Sequence, residues 1–315
     1  MALVVALAGL ALVASVAMAA RIVGTDNGET LNGTALRDAI NARGGNDTVN
    51  ARGRADLVRG GLGDDVLNLG WGNDRAFAGD GDDTVNGENG NDRVGGGRGK
   101  DEINGNRGND RLHGGPDNDT VKGLQGNDYL TGNAGDDVLE GDVPNAGDLT
   151  SFDRLFGGPG NDRLTGGDSA DRLHGGDGND LSNGNGGRDF MSGGSGDDVQ
   201  NAGGGNDIVF ANLGRDESSG GDGDDQLWAL ARGDVSGAND TEGDKLHGEG
   251  GNDVIRVRDG EADTVDCGDG NDRVFADRAD VVNPDCETVE RRDPRQREDA
   301  GENAQQNQPA DRPQS

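Results

Sequence analysis

Aliphatic residues recur every nine positions along most of the chain, and each follows an acidic residue by two positions. Glycine clusters before the acidic residue, so the unit reads G-G-x-G-(N/D)-D-x-U-x, where U is aliphatic. A fixed short period of this kind predicts a solenoid in which each unit adds one strand to a stack. In the first, unbroken stretch the eighth position holds Leu31, Ile40, Val49, Val58, Leu67, Ala76, Val85, Val94, Ile103, Leu112, Val121, Leu130 and Leu139.

The acidic sixth position keeps its register through two blocks of units and a looser third group. The first block carries Glu29, Asp38, Asp47, Asp56, Asp65, Asp74, Asp83, Asp92, Asp101, Asp110, Asp119, Asp128 and Asp137. After the insertion Gly141 to Gly147, the second block carries Asp153, Asp162, Asp171, Asp180, Asp189, Asp198, Asp207, Asp216 and Asp225. After the insertion Ala229 to Ala238, uneven spacing separates Asp244, Asp253, Asp263, Asp272 and Asp280.

Each unit has room for a tight glycine turn and a strand of three residues. In such a strand the middle side chain points to one face, so U is buried and its two neighbours are exposed. One buried side chain cannot offset the cost of ordering nine residues, about 1 to 2 kcal/mol each, so stacking must supply the core. Gly-Gly and Gly-x-x-Gly openings alternate in the first block, which indicates two units per coil and a rod on the order of 60 Å long.

Six units carry the full glycine set, beginning at Gly60, Gly96, Gly157, Gly175, Gly193 and Gly220. Over about residues 24 to 290 these units resemble the calcium-binding repeats of RTX toxins, also called haemolysin-type repeats. The resemblance implies an all-β fold, a right-handed parallel β-roll with two nonapeptide repeats per coil. It also implies that each calcium ion lies between turns of stacked coils, held by the sixth-position Asp and by carbonyls of the glycine turn.

The charge of the chain agrees with a cation at these turns. The formal net charge is −32, and the carboxylates stack at a strand spacing, where like charges repel. Calcium accepts carboxylates and carbonyls in flexible geometry, and we expect roughly ten to twenty ions. The predicted ligands are Asp47, Asp65, Asp74, Asp83, Asp92, Asp101, Asp110, Asp119, Asp128, Asp137, Asp162, Asp171, Asp180, Asp189, Asp198, Asp207, Asp225, Asp253 and Asp272.

Some turns lack the fourth-position glycine and should bind calcium less well, above all the first two and the last. The residues that replace it are Asn27, Leu36, Arg54, Asp117, Ser151, Ser169, Glu242, Glu261 and Arg278.

The eighth position turns polar at Ser182, Gln200 and Ser218, which lie on one face of three successive coils. Two interpretations stay open. A local register slip would bring the preceding Leu181 and Val199 inward, whereas without a slip this stretch of core would be loose and partly hydrated.

Composition divides the chain into segments. Residues 1–19 are apolar and end in Ala17-Met18-Ala19, which predicts a secretory signal peptide cut after Ala19; an uncleaved membrane anchor is the alternative. The first repeat block spans 20–140, the insertion 141–147, the second block 148–228 and the second insertion 229–238. Irregular last repeats with a C-terminal cap span 239–290, and the polar tail 291–315 is predicted to be disordered.

The only two cysteines, Cys267 and Cys286, lie in the last group. In an exported protein they are expected to form a disulfide that pins the terminal cap, with free thiols or an intermolecular link as alternatives.

The sequence offers no signature of an enzyme. H-E-x-x-H, G-x-S-x-G and the P-loop are all missing, and His113, His174 and His247 occupy the outward ninth position. The charge disfavours nucleic acid. Outward-facing aromatics are predicted, as a partner strip or as scattered surface residues, at Phe77, Phe156, Phe210, Trp228 and Phe275.

We therefore expect a secreted, non-enzymatic calcium-binding repeat protein that folds on meeting extracellular calcium and serves as a structural or adhesive element. Its partner would be a protein or glycan outside or on the surface of a cell, and a membrane only if the N-terminal segment is uncleaved. The alternative is an accessory piece of a toxin or secreted hydrolase system. Ice binding is disfavoured because the third position holds Thr only at Thr150 and Thr241.

Overall fold

The computed structural model describes residues 19–142, 151–229 and 243–292. These residues form a parallel β-solenoid of about 14 coils, with two long sheets whose inner faces enclose the core, and none of them is helical. The all-β solenoid with two repeat units per coil is confirmed. No helix in these ranges is long and apolar enough to cross a membrane.

Sheet I takes one strand from each coil. Its strands, in spatial order, are β1 (Arg21–Val23), β3 (Ala39–Gly44), β5 (Leu57–Leu62), β7 (Arg75–Asp80), β9 (Arg93–Arg98), β11 (Arg111–Pro116), β13 (Tyr129–Ala134), β15 (Arg154–Pro159), β17 (Arg172–Asp177), β19 (Phe190–Ser195), β21 (Ile208–Leu213), β23 (Gln226–Trp228), β25 (Val254–Val257), β28 (Arg273–Ala276) and β30 (Thr288–Arg291).

Sheet II takes the other strand of each coil. Its strands are β2 (Thr30–Asn32), β4 (Thr48–Asn50), β6 (Val66–Trp71), β8 (Thr84–Asn89), β10 (Glu102–Arg107), β12 (Thr120–Gln125), β14 (Val138–Glu140), β16 (Arg163–Gly167), β18 (Leu181–Gly186), β20 (Val199–Gly204), β22 (Glu217–Asp222), β24 (Lys245–Gly251), β26 (Thr264–Asp266) and β29 (Val281–Val282), with the short β27 (Asp269–Gly270) paired to β24.

The strands are longer than the sequence pattern predicts. Most span six residues rather than three, because the chain stays extended and paired through the first three positions of the next unit. In β5 and β7, for example, Leu57 pairs with Arg75 and Leu62 still pairs with Asp80. The longer strand satisfies more backbone hydrogen bonds, and it leaves only positions four to six for the turn.

Successive coils keep an 18-residue register, and insertions leave it intact. The backbone N–H of Asp92 reaches Asp110, 18 residues on, whereas Asp128 reaches Asp153, 25 residues on, across the first insertion. In the last group the step varies between 19, 17 and 15 residues. The described ends of the two insertions, Gly141, Asp142 and Ala229, still bond to neighbouring coils. Residues 143–150 and 230–242 lie outside the described ranges.

Two inward positions per unit build the core, the eighth and the first. Both are buried in β6, where Leu67 and Leu69 are inaccessible to solvent. The first position is otherwise small, mostly Gly or Ala, so that the two sheets can close on a single layer of larger side chains. The largest fully buried side chains are Ile40, Leu67, Leu69, Ile103, Leu112, Leu130, Leu139, Leu155, Leu164, Leu173, Met191 and Leu227.

The register slip considered at the polar eighth positions does not occur. Ser182 pairs with Gln200 and Gln200 with Ser218 in the regular ladder, and all three are buried, whereas Val199 is 40% exposed. The Gln200 amide replaces the missing apolar packing with hydrogen bonds. Its NH₂ donates to the Phe210 carbonyl and to the Ser218 hydroxyl, both at 3.0 Å, and its oxygen accepts from the backbone N–H of Gly193 at 2.9 Å. Gln200 and Ser218 are therefore satisfied in the regular register, whereas the buried Ser182 hydroxyl has no hydrogen-bond partner among the described residues.

Phe210 and Trp228 lie on the outer face as predicted, but they are not the scattered exposed residues that one interpretation expected. Phe77 is 55% exposed, but Phe210 and Trp228 are each only 3% exposed. Their rings stack at 4.7 Å on the outside of sheet I, and the Arg256 guanidinium covers Trp228 at 4.9 Å from the ring centre. Stacking along the rod buries outward aromatic rings when they occupy consecutive coils.

The C-terminal end of the rod carries the predicted disulfide. Cys267 and Cys286 are bonded, with their Cα atoms 5.2 Å apart, and Cys267 occupies a buried inward position of the core. The bond ties the turn after β26 to the segment before β30, the last strand of sheet I. Residues 1–18 and 293–315, which hold most of the proposed signal peptide and tail, lie outside the described ranges.

Candidate metal centre

The sixth-position carboxylates form two straight rows, one along each edge where the chain turns between sheets. Each carboxylate is the last residue of a three-residue turn and directly precedes a strand. One row therefore leads into sheet I and the other into sheet II. The Asp residues of both rows are buried, none more than 6% exposed. All the predicted ligands lie in these rows.

One carboxylate oxygen of each residue links neighbouring coils. The backbone N–H of Asp101 donates to Oδ1 of Asp119 at 2.9 Å, and the N–H of Asp119 donates to Oδ1 of Asp137 at 2.7 Å. The same bond repeats along both rows, with distances between 2.5 and 3.3 Å, from Glu29 to Asp280 and from Asp38 to Glu287. Oδ1 therefore replaces water as the acceptor for a turn N–H.

The second oxygen, Oδ2, is buried and has no hydrogen-bond donor. This is true of every predicted ligand and also of Asp56 and Asp263. A buried acceptor without a partner costs about 1 to 3 kcal/mol, and more if it is charged. Repeated over so many coils, this cost identifies Oδ2 as the atom that a cation would satisfy.

Glycine at the first position makes room for that oxygen. A Cβ on Gly96 would overlap Oδ2 of Asp101 and would come within 2.7 Å of the Gly114 carbonyl oxygen of the next coil. Carboxylate and carbonyl oxygens thus converge on the open face of the glycine. These are the oxygen ligands that calcium prefers.

Glycine is favoured at the fourth position for a different reason, because the turn has a left-handed backbone there. Gly63 has a φ of 104°, and where glycine is missing Arg54 and Asp117 adopt φ values of 71° and 81°. The turn keeps its shape at the cost of some strain. Asp56 and Asp119 consequently remain in their rows, although the sequence predicts weaker sites there.

Asp38 differs from the residues that follow it. The Thr34 backbone N–H donates to its Oδ2, and the Thr34 hydroxyl lies within 3.1 Å of both of its oxygens. These bonds, with one from the Ala20 N–H, lower the pKa of Asp38 although burial raises it. A carboxylate whose oxygens already accept hydrogen bonds from its own turn should bind a cation weakly. Weaker calcium binding is what the sequence predicts for the first turns.

Burial raises the pKa of many of the buried row carboxyls above the ordinary value. The largest cause is desolvation, and at Asp83, Asp92, Asp128, Asp171 and Asp189 repulsion from other carboxylates adds to it. The pKa rises to about 7 at Asp83 and to about 8 at Asp92, Asp128, Asp171 and Asp189. Without a cation, these rows hold charge only at a free-energy cost.

The last group contains a carboxylate cluster that the sequence analysis underrated. Carboxylate oxygens of Asp259, Glu261 and Asp263 lie within 4.8 Å of one another, and Asp263 is fully buried. Burial, with repulsion from Asp259 next, raises the pKa of Asp263 to about 9. Glu261 replaces a turn glycine, which predicted a poor site, yet it adds a third carboxylate to the cluster. The alternation Asp-Gly-Glu-Ala-Asp at residues 259–263 is the sequence pattern that could have predicted this cluster.

The sequence analysis missed one row member, Glu287, and left several others out of the predicted ligand set. Glu287 ends the row of sheet I by accepting the Asp272 N–H at 2.9 Å, a role hidden by the shortened spacing. Further buried members outside the predicted ligand set are Asp56, Asp153, Asp216, Asp244, Asp263 and Asp280.

The residues present fit calcium. Each coil provides buried hard oxygen atoms, one carboxylate Oδ2 and a neighbouring carbonyl on each turn, with no cysteine or histidine among them. When bound, the ion would supply positive charge between stacked carboxylates.

Comparison with known proteins places this geometry in a family. The model of the RTX calcium-binding nonapeptide repeat matches most of the chain. The chain belongs to this family. The matches cover residues 23–53, 44–76, 51–85, 70–103, 77–112, 86–121, 95–130, 113–143, 150–181, 183–218, 201–231 and 240–261. No curated protein matches the chain. The matched RTX repeats stop before Asp263, so the carboxylate cluster extends beyond the last matched unit.

The raised pKa values predict the pH dependence of the metal-free protein. A carboxyl whose pKa is higher in the folded than in the unfolded state stabilises the fold below its unfolded pKa and loses this effect as pH rises. Thermal stability in metal-free buffer should therefore be highest near pH 4 and fall up to about pH 8, read by circular dichroism. A stability that increases with pH over this range would contradict the assignment.

Filling the glycine cradle should weaken a site. Gly96→Ala should displace Oδ2 of Asp101 and raise the calcium concentration at the folding midpoint, with an overpacking cost of about 1 to 3 kcal/mol. The coil should still form, because Ala78 occupies the same position one coil earlier. Gly95→Ala is the matched control, since its Cβ would meet only Phe77, at 3.6 Å. Equal midpoints for the two variants would show that the cradle plays no part.

Proposed function

We propose that this protein is a secreted RTX rod that folds when it meets extracellular calcium and then serves as a structural or adhesive element. The observation that supports the proposal best is the set of buried Oδ2 atoms without donors, because these atoms destabilise the metal-free rod at neutral pH. Calcium binding would remove that cost in every coil at once. Folding and binding are then one process.

The composition supports the coupling. Hydrophobic residues make up 30% of the chain and aromatic residues 3%, and the net charge is −32. Such a chain has the character of a disordered protein unless something neutralises it. Each coil contacts only its neighbours, so ions bound at one turn favour the ordering of the next.

Location outside the cell agrees with two features. Extracellular calcium sites work at weak affinity, in the range of about 10⁻⁴ to 10⁻³ M. The Cys267–Cys286 disulfide is a bond typical of oxidising compartments. A chain that stays unfolded in low calcium and orders after export would avoid folding too early.

A structural or adhesive role fits the distribution of the chemistry. The acidic residues are engaged in the turns, and the three histidines are surface residues of strands, with Nδ1 of His113 2.7 Å from the Thr131 hydroxyl. We therefore propose a rod that acts by its shape and surface rather than by catalysis.

Circular dichroism with and without calcium tests the proposal. The mature chain at pH 7.5 should give a coil-like spectrum in chelator and a cooperative change to a β spectrum with calcium. Equimolar magnesium should have little effect, because it demands a strict octahedron and keeps its water. A β-rich spectrum in excess chelator would refute coupled folding.

Two variants test whether the buried row is the site. Asp101→Asn removes the charge of a buried sixth-position carboxylate and should raise the calcium midpoint and broaden the transition. Asp82→Asn removes an equal charge from the exposed fifth position, where Asp82 accepts the Lys100 N–H at 2.8 Å and Asn can do the same. The midpoint of this control should move little; a larger shift for Asp82→Asn would place the ions on the outer row.

A further inference from the structure

The outer face of sheet I lacks the acidity of the rest of the molecule. The chain has 61 acidic and 29 basic residues, yet no Asp or Glu occupies an outward position in the centre of the strands from β7 to β23. Instead, Arg75, Arg93, Arg111, Arg154 and Arg172 share the first outward position of their strands. The centre of this face thus carries a row of cations, and its carboxylates, such as Asp80 and Asp177, lie at the ends of the strands.

The arginine row is regular and unneutralised over three coils. Arg75 pairs in register with Arg93, and Arg93 with Arg111, at the strand spacing of about 4.8 Å. All three are exposed, and none forms an ion pair or side-chain hydrogen bond with the described residues. Like charges so placed repel one another, so the row does not stabilise the free rod.

The row is not needed to balance the buried carboxylates beneath it. In sheet II, too, a buried row Asp directly precedes each strand. The strands of sheet II in the same coils nevertheless begin with Thr84, Glu102 and Thr120. Over these three coils sheet II therefore folds without arginine at this position. The difference between the two faces points to a ligand of sheet I.

A groove runs beside the arginines along the turn edge. Its volume is about 1060 Å³. The carboxylate row of Asp74, Asp92, Asp110 and Asp128 lies between its two walls, and its second wall is a row of amides, Asn73, Asn91, Asn109 and Asn127. Each Oδ1 accepts a backbone N–H of the next coil, as Asn91 does from Asn109 at 2.9 Å. The Nδ2 groups of these residues make no hydrogen bond to the described chain, so both walls present donors.

Aromatic rings orient the far end of this groove. The Arg154 guanidinium lies 5.2 Å from the Phe152 ring centre, and Arg172 lies 6.0 Å from the same ring. The rings of Tyr129 and Phe156 pack at 5.3 Å beside them. Stacked guanidinium groups keep their donors directed outward. We call the surface formed by the four lining arginines, Arg75, Arg93, Arg111 and Arg154, the four asparagines and Phe152 the basic groove.

We propose that the basic groove binds an acidic polysaccharide that lies along the rod. Each coil offers one amide and one guanidinium, which matches a polymer whose units carry hydroxyl oxygens and spaced carboxylates. A nucleic acid has a phosphate on every nucleotide, and a net charge of −32 opposes such a dense polyanion more strongly. Calcium in the row beneath would neutralise Asp74, Asp92 and Asp110 and make the groove more positive.

The experiment uses the full mature chain at saturating calcium and fluorescein-labelled hyaluronan, read by fluorescence anisotropy. Arg75→Gln, Arg93→Gln and Arg111→Gln together should weaken binding about tenfold or more and reduce its salt dependence. The matched control removes three cations from sheet II, by Lys122→Gln, Arg163→Gln and Lys245→Gln, with the same change in net charge. Its affinity should stay within about twofold of the parent.

Neutral dextran and single-stranded DNA of equal length complete the test. Equal binding of dextran, or unchanged hyaluronan binding by the arginine variant, would overturn the proposal. Tighter binding of the DNA than of hyaluronan would assign the groove to nucleic acid instead. Circular dichroism of each variant in calcium reports folding separately, so failure of the calcium-folding proposal is distinguishable from failure of the groove.

Discussion

The structure depends on a buried carboxylate oxygen that has no donor and recurs in coil after coil. Oδ1 of each sixth-position Asp accepts a backbone N–H of the preceding coil, and this bond fixes the spacing of the stack. The same geometry buries Oδ2 among oxygens. What joins the coils therefore also destabilises them while the carboxyls are ionised and no cation is bound. A calcium-binding repeat resolves that conflict, and it makes the fold conditional on the ion.

Glycine meets three separate requirements within one unit. At the first position it leaves space for the carboxylate, as Gly96 does for Asp101; at the second and fourth positions it allows a left-handed backbone, as at Gly61 and Gly63. The requirements differ in strictness. Arg54 and Asp117 reach the left-handed region without glycine, and Ala78 or Leu69 can occupy the first position. The repeat therefore tolerates variation while both rows continue.

The nine-residue period and its glycine pattern were enough to predict the solenoid, its two units per coil and the buried eighth position, and the presence of only two cysteines predicted the disulfide. It could not give the strand length, because extension through the first three positions depends on pairing with the next coil. The fate of Gln200 depended on hydrogen bonds to Gly193 and Phe210 that lie far apart in the sequence. Trp228 and Phe210 became buried through stacking, and the arginine row became visible only when alternate units were assigned to separate sheets.

The central claim is that carboxylate rows along the whole rod, rather than a few special turns, hold the calcium. Equilibrium dialysis of the mature chain at millimolar calcium, followed by elemental analysis, tests it most directly. The account predicts roughly ten to twenty ions per folded chain, because every coil presents oxygen ligands at both turns. A fully folded rod that retains only one or two calcium ions would contradict it.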